Sequence, residues 1–194
     1  MNNKVLRTLF IYNGIFVLAG SLLSPLYAVY VEKFQSGVMW ISISWSVFLV
    51  STTIFIFVLS RMGDKVKDKR HLLLGGYFVR GVAWLLFVFA DSIFMLLVLQ
   101  SLLGLGEALG SPAFDAMFAE NLEKGKHIAD YSNWKIITNM TVAAGTIAGG
   151  FIVSKMGFSV LFLAMSLLAM ISFFGILLEP KKFSLKKYFL IYKE

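Results

Sequence analysis

Long apolar runs alternate with short polar connections along the whole chain. Residues of about 5–31, 38–60, 72–90, 93–119, 132–154 and 158–178 are mostly hydrophobic, and the segments between them are charged, small or turn-forming. Each run is long enough for a helix of about 20 residues to cross a hydrocarbon layer of about 30 Å. The runs are continuous and lack a period of two, which excludes a membrane-spanning strand barrel. The pattern predicts an all-α integral membrane fold: a domain over residues 1–180 with six transmembrane helices, followed by a basic amphipathic tail over residues 181–194.

Polar and small positions inside the runs refine this picture. Pro25 interrupts the first run, and Asn13, Ser21, Ser24 and Tyr27 recur at steps that bring them near one helical face. Such a face either lines a water-filled path or hydrogen-bonds to neighbouring helices. The second run carries Ser42, Ser44, Ser46, Ser51, Thr52 and Thr53, whose hydroxyls can bond the carbonyls of the preceding turn. Asp91 and Ser92 are the whole connection between the third and fourth runs, so those helices form an antiparallel hairpin. Gly104, Gly106 and Gly110 in the fourth run, and Gly145, Gly149 and Gly150 in the fifth, predict close helix packing. Gly104-Leu105-Gly106 follows no strand and has the wrong spacing to Gly110 for a dinucleotide loop.

Composition gives the runs their solvent. The chain is 58% hydrophobic and 15% charged, far more apolar than one soluble core can use, so the lipid bilayer is the expected partner. The net charge of +7 would suit nucleic acid, but the bases fall in short blocks between apolar runs, and no nucleic-acid partner is expected. The block over residues 60–70 contains Arg61, Lys65, Lys67, Lys69 and Arg70. So short and basic a loop stays on the cytoplasmic side. Fixing it there puts fifteen Lys and Arg inside and only Lys33 and Lys155 outside, with both termini cytoplasmic. Lys4 and Arg7 ahead of an apolar body have the outline of a signal peptide, but the apolar run continues to Val31 and further runs follow.

Candidate chemistry is sparse. With no cysteine, disulfides, thiolate metal sites and cysteine nucleophiles are excluded. His71 and His127 are lone loop histidines without companions at ligand spacing, so no metal is expected. No catalytic constellation recurs, and neither enzymatic activity nor a cofactor is predicted. Two charges do lie inside the apolar runs. Arg80 is eight residues past Leu72, about 12 Å from the cytoplasmic side at 1.5 Å per residue. Glu107 is fourteen past Ile93, about 21 Å from the outer side and so roughly 9 Å from the inner one. An unpaired charge at that depth costs at least about 2.5 kcal/mol, so an Arg80–Glu107 ion pair is expected. The alternative is that Arg80 snorkels inward and Glu107 stays protonated against helix backbones. Glu107 is the candidate to exchange a proton or meet a cationic substrate; Asp115 falls nearer the inner interface, with Asp64, Lys65 and Glu120.

At the basic loop the sequence resembles the major facilitator superfamily, whose signature between helices two and three reads Gly-x-x-x-Asp-Arg/Lys-x-Gly-Arg/Lys-Arg/Lys. Ser60 stands at the first glycine, Asp64 at the aspartate and Lys65 at the base beside it; Lys67 and Asp68 depart from the pattern, while Lys69 and Arg70 keep the basic end. The stretch over residues 102–113 looks like the family's fourth helix, with Gln100 where many members place an arginine used in proton coupling. Glu120 corresponds to the acid that often closes the charge relay, and Gly145 to Gly150 look like the glycine-rich fifth helix of antiporters, without its proline.

The resemblance implies one half of a major facilitator type fold, with a second six-helix half supplied by a continuing chain, a second copy or a separate protein. It implies a secondary transporter in the cell membrane, moving a small-molecule substrate by alternating access, with proton-coupled efflux as one form. Helices one, two, four and five would surround half of a central cavity. Asn13, Ser24, Tyr27, Arg80, Gln100 and Glu107 would handle substrate or proton, and Asp64, Lys65, Lys69, Arg70, Asp115 and Glu120 would latch the cytoplasmic face. A non-transporting scaffold or assembly protein derived from such a half is the competing expectation.

Overall fold

The computed structural model describes residues 4–63 and 68–179. Its regular structure is helical throughout, with no strand among the described residues. Asp64, Lys65 and the tail over residues 181–194 lie outside the described residues.

Helix α1 (Lys4–Ser21) ends just before Pro25. Proline has no N–H to donate and its ring crowds the carbonyl four residues back, which disfavours a regular helix here, although α5 runs through Pro112. The chain tightens into a 3-10 turn over Ser24–Leu26, then resumes as α2 (Tyr27–Val31). This turn changes the helical phase. Asn13 and Ser21 are buried on one side of the first span and Ser24 is exposed beside them, but Tyr27 is carried to another side. The single polar face expected from spacing therefore ends at Ser24.

Helix α3 (Val38–Gly63) is followed by α4 (Arg70–Phe87), and α5 (Ile93–Glu120) begins where the Ser92 hydroxyl accepts the Met95 N–H at 3.3 Å. That cap satisfies one of the orphan donors at a helix start and fixes where the hairpin turns. Helix α6 (His127–Met156) passes to α7 (Phe158–Leu178) through Gly157, whose φ of +84° is a backbone conformation that side chains disfavour. Among the described residues, five segments are long and apolar enough to cross a membrane: Lys4–Val31, Val38–Arg61, Ile93–Glu120, His127–Met156 and Phe158–Leu178. Helix α4 has 18 residues, and Arg70, His71, Arg80 and three glycines dilute its hydropathy. At 1.5 Å per residue it still extends about 27 Å, nearly the hydrocarbon thickness.

The helices pack in the order α3, α5, α4, α7, α1, α6 around the bundle, with α1 and α5 also touching. Helix α4 is enclosed by α5 and α7 and buries Leu73, Tyr77, Ala83, Trp84 and Phe87. The first and last in that order are the barest: only 6% of the most apolar window of α3 and 11% of that of α6 is buried, against 39–44% for the spans of α1–α2, α5 and α7.

Between helices in lipid, contact is driven by close packing, which small residues permit. A Cβ on Gly76 of α4 would stand 2.6 Å from the Gly110 nitrogen of α5, so the two backbones touch there. Gly104 lies against Ser51 and Thr52 of α3, Gly106 against the stem of Arg80, Gly145 against Ser21 and Gly149 against the Leu22 carbonyl. Gly150 differs from the expectation: a Cβ there meets nothing within 4 Å, because it sits one residue round the helix from the face that α1 covers.

Arg70 ties the start of α4 to the end of α7. Its buried guanidinium donates from Nη2 to the carbonyls of Ile176 and Leu177, both at 2.6 Å. These carbonyls belong to the last turn, where a helix runs out of its own donors and where positive charge is favoured. Arg70→Leu is expected to lower stability by about 2 kcal/mol, the worth of hydrogen bonds to a charged group. A denaturation midpoint unchanged from the parent chain would contradict this.

Candidate functional site

A cavity of about 410 Å³ opens among five helices. Helix α1 supplies Asn13, Phe16, Gly20 and Ser21, and Ser24 follows in the 3-10 turn; α4 supplies Gly76, Tyr77 and Arg80; α5 supplies Glu107, Gly110, Ser111 and Phe114. Trp45 of α3 and Val142 of α6 each contribute one side chain. The third span thus joins the four expected around the cavity, and it brings the cavity's cation.

Arg80 Nη1 donates to Glu107 Oε2 at 2.5 Å. The connection between α4 and α5 is residues 88–92, longer than the expected Asp91 and Ser92 alone because α4 ends at Phe87, yet still short enough to make the depths of the two helices correspond. The touching glycines lie one turn from each charge, so the side chains meet. Arg80 is 21% exposed and Glu107 27%, both at the cavity wall. The guanidinium lies 4.5 Å from the Phe16 ring and 5.5 Å from that of Trp84, where aromatic faces attract a cation. Gly106 leaves room for the arginine stem, since a Cβ there would collide with Arg80 Cγ.

Asn13 is held from the other side. The Tyr77 hydroxyl donates to Asn13 Oδ1 at 2.7 Å, and the Tyr77 ring stacks on Phe16 with centroids 4.3 Å apart. Asn13 thereby has its amide orientation fixed, with its carbonyl engaged and its NH₂ uncommitted. Neither Tyr77 nor Phe16 was singled out by the sequence; the signal available was only their place on the faces of α4 and α1 nearest each other.

Gln100 and Tyr27 form a separate cluster. Gln100 Nε2 donates to the Tyr27 hydroxyl, which donates to Ser44 Oγ at 2.6 Å, and Ser44 donates to the Ile41 carbonyl at 3.0 Å. This chain joins α2, α3 and α5 in the bundle interior, and none of its members lines the cavity. A buried network with each link made fastens helices.

At the end of the bundle bearing the basic loop, Lys69 pairs with Glu120, joining α4 to α5. Asp68 Oδ1 accepts the Arg70 N–H at 3.0 Å, and buried Asp130 accepts the Glu123 N–H at 3.0 Å, which shapes the turn before α6. Asp115 is exposed on α5 and forms no ion pair with Lys69 or Arg70. Of the six expected latch residues, the structure brings Lys69 and Glu120 together and directs Arg70 to α7. Among the described residues no three of His, Cys, Asp and Glu are grouped to hold a metal ion.

Among the described residues, a bundle of helices long and apolar enough to cross a membrane, with an ion pair at a cavity wall, defines the class of helical membrane proteins. The family model of the Major Facilitator Superfamily matches residues 9–189, and the chain belongs to that family. It is similar to the protein described as "Uncharacterized MFS-type transporter YitZ" of Bacillus subtilis (strain 168), with 28% identity over 159 residues, covering 79% of this chain and 93% of the relative. The membership makes this an integral membrane protein of a transporter family and points away from an enzyme.

Proposed function

We propose that this chain is one six-helix half of a secondary active transporter that carries a small solute by alternating access. The observation that carries this reading is the Arg80–Glu107 pair, placed on the wall of a cavity that five helices share. Charges at such depth are costly and serve substrate or ion pathways in membrane proteins. The bare faces of α3 and α6 support a second half packed beside this one, with the cavity between the two.

The distribution of Lys and Arg, fifteen against two, supports both termini in the cytoplasm and insertion in the cytoplasmic membrane. Lys69, Arg70 and Glu120 then hold the cytoplasmic ends of α4, α5 and α7 together, with Asp64, Lys65 and Asp115 close in sequence to that cluster. Glu107 is the group through which a proton would couple to efflux, because Arg80 is free to turn to solute whenever its partner carboxylate is neutral.

Alternating access has a direct test, since the chain lacks cysteine and one introduced thiol is unambiguous. Ser111→Cys places that thiol on the cavity wall. In right-side-out and in inside-out vesicles the thiol is expected to react with a membrane-impermeant maleimide, at rates that solute changes in opposite directions. Reaction from one side alone, insensitive to every solute tried, would favour the non-transporting scaffold.

A further inference from the structure

The ion pair uses only half of each charged group. Glu107 accepts at Oε2, which leaves Oε1, and Arg80 donates from Nη1, which leaves Nη2 and Nε without acceptors. Nη2 lies toward Gly20 on the cavity wall, 3.9 Å from where a Cβ would stand, and Nε is buried with no hydrogen-bond partner. Nη2 is therefore the guanidinium donor turned to the cavity, a charged partner for one oxygen of a carboxylate, while Nε is enclosed by protein. The Asn13 NH₂ is a further uncommitted donor on the same wall, beside a carbonyl already held by Tyr77.

We propose that the cavity recognises an amino-acid-like zwitterion with a bulky apolar side chain, its carboxylate between Arg80 Nη2 and the Asn13 NH₂ and its ammonium on Glu107 Oε1. This rests on the cavity being a transport site, and it names the solute class. Charge selects the solute class. The Arg80–Glu107 pair is neutral, and a monocation or monoanion would leave a net charge in a cavity where aromatic rings stand beside Asn13, Ser21, Ser24 and Ser111 and solvate it less well than bulk water. A zwitterion adds two charges and no net charge. Since the free acceptor and the free donors sit at either end of one 2.5 Å contact, the solute's ammonium and carboxylate must lie close together, as they do on one carbon. Phe16, Trp45, Tyr77 and Phe114 supply apolar surface for the side chain.

The test uses the full chain in lipid nanodiscs and reads the shift in its thermal unfolding midpoint. The probes are L-phenylalanine and L-leucine, each with its decarboxylated amine and its deaminated acid. Both amino acids are expected to stabilise the protein saturably, with each amine and acid binding at least about tenfold more weakly, as loss of one charged hydrogen bond requires. In Glu107→Gln the preference for amino acid over deaminated acid should shrink by a similar factor, a change of specificity that misfolding cannot imitate. An amine or an acid that binds as tightly as its amino acid overturns the zwitterion. If neither amino acid binds while the Ser111→Cys thiol is still reached from both sides, the solute class is wrong and the transport reading stands; if the thiol is reached from one side only, both fall.

Discussion

In the Arg80→Gln variant the chain is expected to lose about 3 kcal/mol of stability, and in Arg80→Gln/Glu107→Gln to recover more than half of that loss. Removing one partner of a part-buried pair leaves the other uncompensated where water solvates it only in part. Glu107 would then keep its charge on a wall that includes the rings of Phe16, Trp45, Tyr77 and Phe114. Removing both partners leaves two amides of similar size that can hydrogen-bond to each other. The exposures of 21% and 27% keep the single-variant figure at the lower end of what buried pairs show. Reversible unfolding in mixed detergent micelles measures all four corners of the cycle. Additive losses, with no recovery in the double variant, would mean that the pair is not coupled.

The same pair shows what kind of contact a membrane sequence makes legible. Arg80 and Glu107 stand on consecutive helices joined by a short turn, so counting residues from that turn fixes both depths along one axis. Depth is enough when the helices are known neighbours. Tyr77 to Asn13 is different, because α1 and α4 are not consecutive and nothing in the spacing states that they face one another. Arg70 reaches carbonyls 106 and 107 residues away, which only the side-by-side packing of α4 and α7 explains.

Pro25 sets a second limit. Helical periodicity places Tyr27 on the face of Asn13 and Ser21 only if the helix stays regular, and the 3-10 turn at Ser24–Leu26 breaks that regularity. Tyr27 consequently meets Ser44 and Gln100 and fastens helices, away from the cavity. Gly149 and Gly150 give the same lesson at finer scale: neighbouring residues on a helix point about 100° apart, given 3.6 residues per turn, and only one of them faces α1.

The position where packing and chemistry meet is Gly76. An alanine there sets its Cβ 2.6 Å from the Gly110 nitrogen, and a backbone cannot yield as a flexible side chain does. Helices α4 and α5 must separate or rotate, at a cost of about 1–3 kcal/mol, the range for overpacking. Arg80 is one turn beyond Gly76, and Glu107 is one turn before Gly110, so the displacement acts on both ends of the ion pair. Gly76→Ala is therefore expected to destabilise the bundle and also to abolish most of the Arg80–Glu107 coupling energy measured by the cycle above. Gly150→Ala is the matched control: it has open space, and the helix gains up to about 1 kcal/mol from replacing glycine. Full coupling energy retained in Gly76→Ala would show that the glycine crossing does not position the pair.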